Sequence, residues 1–109
     1  MADYLGEFEQ LILLALARLG EDAYGVSIRA TLMERTKRRP SFGAIYSTIR
    51  RMEAKGLVRS WIGDSTPERG GRSKRHFEVR PIGVKALRSS RDTLAAMWEG
   101  LEAEVTRGA

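Results

Sequence analysis

Residues 41–58 read SFGAIYSTIRRMEAKGLV, and this stretch decides how the rest of the chain is understood. Ile45, Ile49 and Met52 recur at helical spacing and predict one buried stripe. Ser41 stands where a hydroxyl can cap the first free amides, and Gly56 stands where a helix ends. The opposite face carries Gly43, Ala44, Ser47, Arg50, Arg51 and Ala54. Small residues near the helix start let its backbone approach a surface closely. Ser41, Tyr46 and Ser47 can hydrogen-bond phosphate, and Arg50 and Arg51 supply positive charge. The helix N-terminus adds its own free amides and dipole. The major groove of DNA admits such a helix, N-terminal residues first. The competing reading is a solvent-facing amphipathic helix with incidental serine and arginine. Tyr46 is open between packing beneath the helix and reaching a phosphate with its hydroxyl.

Outward from this helix, the chain order follows from pattern. Leu5, Phe8, Leu11, Ile12, Ala15, Leu16 and Leu19 mark a first helix, and Leu13 and Leu14 make it apolar nearly all round. A helix of that kind is buried on several faces, which in a small chain suggests cover from a second subunit. Gly20 ends it. A second helix is expected after Glu21 or Asp22 and runs to about Arg35, with Tyr24, Ile28 and Leu32 inward and Gly25 permitting a close neighbour. Thr36 to Pro40 is a basic loop closed by proline. Downstream of the third helix, Leu57 to Ile62 and Arg75 to Arg80 read as two antiparallel strands. The polar, turn-rich stretch between them contains Gly70 and Gly71, flanked by Arg69, Arg72, Lys74 and Arg75. Such a tip can enter a minor groove or lie along the backbone, adding affinity more than sequence reading. An ordinary exposed basic loop is the alternative there. Pro81 suits the first position of a last helix that runs to about Thr106.

The expected fold is therefore mainly α with a small β-hairpin: a winged helix-turn-helix domain over residues 1–80, followed by a C-terminal dimerisation helix over 81–109. In the last helix Val84, Leu87, Leu94, Trp98, Leu101 and Val105 alternate three- and four-residue spacings, with Arg91 in the one polar place. That is a coiled-coil register in which one polar seam residue can select the alignment. The same helix of a second copy is the simplest partner, giving a homodimer; folding back on its own domain is the alternative. A symmetric pair would present two third helices about 34 Å apart and imply a palindromic site.

Charge and composition agree with this plan. The 109 residues carry 19 Lys+Arg against 14 Asp+Glu, a formal net charge of +5. The distribution is uneven. Residues 35–91 hold 16 basic and 4 acidic residues, a net of +12, whereas the flanks come to −7. A polyanion such as double-stranded DNA is the partner this implies. The chain contains no cysteine and a single histidine, His76, so disulfides, thiol nucleophiles and the usual metal ligand sets are excluded. No phosphate-binding glycine loop or nucleophile elbow is present, and His76 has no acid beside it; an enzyme is not expected, and no cofactor. The longest apolar run, Leu11 to Ala17, is far short of the ~20 residues of a membrane span. No signal-like segment opens the chain, which predicts a cytoplasmic protein. Asn is absent and Gln10 is the single glutamine. Bidentate reading of adenine by the third helix is thus excluded, leaving Arg to guanine, Ser hydroxyls and DNA shape.

The stretch Gly43 to Val58 resembles the G-x-[IL]-Y-x-x-[IL]-x-R-[LM]-E-x-x-G-L-[IV] signature of PadR-like transcriptional regulators. Tyr24-Gly25 at the start of the second helix, the glycine-arginine wing and Gly83 extend the resemblance over nearly the whole chain. The single short C-terminal helix expected here is similar to that of the smaller subfamily, whose members are dimeric bacterial repressors. The resemblance implies that Ser41, Tyr46, Ser47 and Arg50 meet DNA from the third helix, and Arg72, Lys74 and Arg75 from the wing. It also implies that Trp98 matches an aromatic that in some members lines a dimer-interface cavity for flat hydrophobic effectors; packed seam core is the other reading. One departure is clear. The family pattern ends its second strand in Y-x-[LI]-T, and here the residues are Phe77-Glu78-Val79-Arg80, so no threonine caps the last helix. A winged-helix module for protein or RNA binding is the competing function, and membrane-surface binding ranks behind it.

Overall fold

The computed structural model describes residues 5–63 and 74–108. Helix α1 spans Glu7–Leu19. The Gly6 amide donates to the Glu9 carboxylate at 2.9 Å, and Glu7 and Glu9 place negative charge at the positive end of the helix dipole. The helix stops at Gly20, whose φ of 56° is accessible to glycine at little cost. A short 3-10 turn, Gly20–Asp22, comes before α2 (Gly25–Arg35). The second helix thus begins slightly later than the sequence suggests, because the Ser27 hydroxyl accepts from the Tyr24 amide at 3.1 Å and fixes the start there.

Helix α3 spans Phe42–Ala54, and the Ser41 hydroxyl accepts from the Ala44 amide at 3.0 Å as its cap. The chain then reverses at Gly56, φ 80°, into strand β1 (Val58–Ile62). Strand β2 (Arg75–Val79) pairs with it antiparallel, placing Ser60 opposite Phe77 and Trp61 opposite His76. The Phe77 amide also donates to the Ala23 carbonyl at 3.0 Å, so the segment before α2 adds a short third edge to the hairpin.

Ile12, Leu13, Leu16, Ile28, Leu32, Ile45, Ile49, Met52, Leu57, Val58 and Phe77 form one buried cluster, drawn from α1, α2, α3 and the hairpin. Each such side chain contributes roughly 1.5–3 kcal/mol by leaving water. The three residues expected on the inner side of α3 are all in it, at 1% exposure or less. The Lys55 ammonium, 3.6 Å from the Glu9 carboxylate, ties the end of α3 to the start of α1.

Helix α4 runs Pro81–Trp98 with proline in its first turn. Arg80 provides no side-chain cap, yet the turn forms, because the Gly83 and Val84 amides donate to the Arg80 carbonyl at 2.8 and 3.0 Å. Proline has no amide to satisfy and its φ is already helical. Gly83 lies against the Leu57 carbonyl and seats the helix on the hairpin base. One expectation is corrected. The last helix is not continuous to about Thr106: it ends at Trp98, turns through Gly100 (φ 84°), and resumes as α5, Glu102–Gly108. Glycine is disfavoured in a helix interior by about 1 kcal/mol, and the Leu101 amide instead closes a turn on the Trp98 carbonyl at 2.8 Å. Val105 therefore lies on a different helix from Val84, Leu87, Arg91, Leu94 and Trp98, and Leu101 lies in the turn between the two.

Candidate nucleic-acid interface

The buried stripe of α3 leaves its other side open. Ser41, Gly43, Ala44, Arg50, Arg51 and Ala54 are exposed, and Ser47 is half-buried. The hydroxyls on this side are engaged within the helix itself: Ser41 caps it, and Ser47 donates to the Ala44 carbonyl at 3.2 Å. Arg51 donates to the Thr48 hydroxyl at 3.3 Å. Among the described residues Arg50 makes no hydrogen bond or ion pair, so its guanidinium is available to an outside acceptor. Arg29 braces the approach to the helix, donating to the Pro40 carbonyl at 2.8 Å with its guanidinium 5.3 Å from the Phe42 ring.

Tyr46 takes the packing alternative. Its ring stands 6.4 Å from Phe42 and 6.2 Å from Phe77, and its hydroxyl lies where a side chain on Gly25 would otherwise be. That explains the bare backbone at position 25: α2 and α3 meet there through the tyrosine.

The hairpin divides its charges between two faces. Arg69 and Arg72, with the glycines between them, lie outside the described residues. Lys74 turns to the outer side, its ammonium 3.6 Å from the centre of the Tyr24 ring. On that same side His76 stacks on Trp61, with centroids 5.6 Å apart, and meets Tyr24 edge-on at 5.9 Å. Arg59 covers the far face of this group, 4.5 Å from the Trp61 ring and 2.6 Å from the Glu78 carboxylate. His76 is thus a packing residue in an aromatic stack that fastens the hairpin to the start of α2. Cations over aromatic faces are worth about 0.5–1 kcal/mol each when exposed.

Arg75 is one residue further and points the other way, to the side facing α3. It donates to the Ser60 hydroxyl at 3.0 Å, and Ser60 donates to the Glu53 carboxylate at 2.6 Å. Arg75 and Arg50 line one cleft with Tyr46, Ile49, Glu53 and Phe77. The structure thus carries Gly43, Ser47, Arg50 and Arg51 on α3, with Ser41 as its cap, and brings Arg75 beside Arg50; it places Lys74 apart. Glu53 and Ser60 did not stand out in the sequence, since their partnership depends on strand register and on where α3 meets the hairpin.

The C-terminal residues have their own pattern. Val84, Leu94 and Trp98 on α4 are 43–53% exposed, as are Leu101 in the turn after it and Val105 on α5. Leu87 is half-buried against the core, and Arg91 is exposed with its guanidinium 3.5 Å from Asp92. Leu14 of α1, Val84, Leu87, Arg91 and Leu94 share a groove. No helix among the described residues is long and apolar enough to cross a membrane.

Comparison with known proteins fits this architecture. The model of the family described as "Transcriptional regulator PadR-like family" matches residues 12–89. Among curated proteins none matches the chain. A solved PadR family transcription regulator from hypervirulent Clostridium difficile is 23% identical, with a TM-score of 0.75 over 92% of this chain and 99% of that one. A PadR-like transcriptional regulator from Bacillus cereus is 20% identical, with a TM-score of 0.69 over 92% of this chain and 88% of that one. The Aeropyrum pernix ORC1 protein, solved in complex with DNA, is 22% identical with a TM-score of 0.61, covering 85% of this chain and 26% of that one. At these identities the likeness is one of fold.

Proposed function

The chain belongs to the PadR-like family of transcriptional regulators, and on that premise we propose that it is a homodimeric repressor that binds a palindromic DNA operator through α3 and the basic hairpin. It is a DNA-binding regulator and not an enzyme. The observation that carries the finer reading is Arg50, without a hydrogen bond or ion pair among the described residues, on the open side of the capped helix α3, with Arg75 in the same cleft. A guanidinium so placed can take guanine O6 and N7 in the major groove, while the start of α3 offers small residues and backbone to phosphate. Arg69 and Arg72 add backbone or minor-groove contacts on this reading. The exposed apolar side of α4, with Leu14 of α1, is the surface that pairs two copies. Residues 1–80 then read DNA and residues 81–109 hold the dimer, with the turn after α4 carrying Leu101 and α5 carrying Val105 to the partner. Trp98, at the end of α4, is where a flat hydrophobic effector would stack between subunits and relieve repression. Cytoplasmic residence accords with that role.

Selection of bound fragments from random duplex DNA tests the proposal. It should yield a palindrome with half-sites about one helical turn apart and a guanine in each. Arg50→Ala should weaken binding to the selected duplex by about 1–3 kcal/mol, or roughly 5- to 150-fold, and relax preference at one position. Enrichment of no motif, or an Arg50→Ala protein that binds as wild type at fixed salt, contradicts it. A module serving protein contact would give that result.

A further inference from the structure

Three residues from three elements form a continuous hydrogen-bonded line from α3 to the hairpin: Glu53 near the end of α3, Ser60 in β1 and Arg75 at the start of β2. The Arg75 Nη1 donates to Ser60 Oγ at 3.0 Å, and Ser60 Oγ donates to Glu53 Oε2 at 2.6 Å. The register places Ser60 opposite Phe77 and Ile62 opposite Arg75, so Ser60 and Arg75 share the face that looks toward α3. Phe77, 2% exposed, anchors that face in the core, and Arg75 itself is exposed. An arginine on an exposed strand end has several rotatable bonds and would otherwise sample many positions; holding it lowers the entropy lost when it meets a ligand.

We infer that Glu53 and Ser60 are positioning residues for DNA binding: they hold the Arg75 guanidinium beside Arg50, so that the hairpin base and α3 present one preset pair of cations to a duplex. The inference rests on the function proposed above. Ser60 is suited to the middle of the line because a hydroxyl accepts from the guanidinium and donates to the carboxylate at once. Glu53 has no ion pair with Lys or Arg among the described residues, so its carboxylate oxygen serves as the acceptor that orients the serine hydroxyl toward Arg75 and leaves the guanidinium's other donors free for phosphate. Arg75 thereby becomes an effective DNA contact, whereas Lys74, one residue earlier, is held away over Tyr24.

The test is affinity for the duplex selected by the wild-type protein, measured for Ser60→Ala, Glu53→Gln, Ser60→Thr and Arg75→Ala, with each variant's fold checked by circular dichroism. Ser60→Ala should weaken binding about 3- to 10-fold, the effect of one lost hydrogen bond. Arg75→Ala should weaken it by about tenfold or more and lower the salt slope by about 1. The deciding measurement is the double variant: Ser60→Ala should cost nothing further once Arg75 is alanine, because its only task is then gone. Ser60→Thr, which keeps the hydroxyl, and Glu53→Gln, which keeps an acceptor at the same reach, should bind within about twofold of wild type. An equal loss from Ser60→Ala with and without Arg75 would show a general structural role and overturn the inference, as would no loss at all. If Ser60→Ala fails to fold, Glu53→Ala, with and without Arg75→Ala, decides the matter by the same criterion. A wild-type protein that selects no duplex overturns the proposed function first, and this inference with it.

Discussion

Gly83 and Gly25 are positions where one absent side chain decides how two elements meet. A Cβ at 83 would stand 2.5 Å from the Leu57 carbonyl oxygen and 2.9 Å from a Val79 methyl. The first of these is backbone, which cannot turn aside as a side chain can. Gly83→Ala should therefore push α4 off the hairpin base and destabilise the fold by about 1–3 kcal/mol despite alanine's better helix propensity. Urea denaturation measures this; a stability equal to or above wild type would show that α4 is not seated there. At Gly25 the neighbour is the Tyr46 hydroxyl. Tyr46 is thus explained by packing, and the polar end of its side chain is directed at α2 rather than at the open side of α3. Arg50 is the contrasting case: exposed, free of partners among the described residues, and next in sequence to the buried Thr48–Ile49 pair that fixes its direction.

At the scale of elements, α3 was legible from sequence nearly residue by residue. Its cap at Ser41, its stripe of Ile45, Ile49 and Met52, and its reversal at Gly56 are local features, and each is read from neighbours within a turn or two. The hairpin was legible as two strands, but the roles of its cations were not. Lys74 and Arg75 are adjacent in sequence and diverge because strand alternation sends them to opposite faces; what receives Lys74 is Tyr24, fifty residues earlier. The Glu53–Ser60–Arg75 line was hidden for the same reason. The break at Gly100 was missed because apolar spacing continues through it and outweighed a single glycine. That break changes what the C-terminal part can do: α4 carries Val84, Leu87, Arg91 and Leu94 along one side, while Leu101 falls in the turn and Val105 on a short separate helix. With α4 as the pairing element, Leu94→Asp, at a side chain 53% exposed in the single chain, should shift the protein from dimer to monomer without unfolding it. Sedimentation velocity across a range of concentrations reads this, and DNA affinity should fall in parallel as the two half-sites come to be bound independently. Unchanged sedimentation would move the interface away from α4.

Across the whole molecule the uneven charge acquires a geometric meaning. The described atoms extend 54 × 33 × 21 Å, long in one direction and thin in another. The apolar cluster draws on α1 to α3 and the hairpin, and α4 adds only partly buried residues to its edge. A net of +12 in residues 35–91 covers the loop before α3, the open side of α3, the hairpin and the first half of α4, while the −7 of the flanks falls on the ends of the chain. In the proposed dimer, two copies related by a twofold axis would turn α3 and Arg50 to the same side of a duplex. On the proposed function these cations meet DNA phosphates as well as bases, and salt titration of affinity for a selected duplex measures the phosphate contribution. The logarithm of the binding constant should fall linearly with the logarithm of salt concentration, by about 0.9 for each phosphate neutralised, amounting to orders of magnitude between roughly 50 and 200 mM. A binding constant flat across that range would contradict the account.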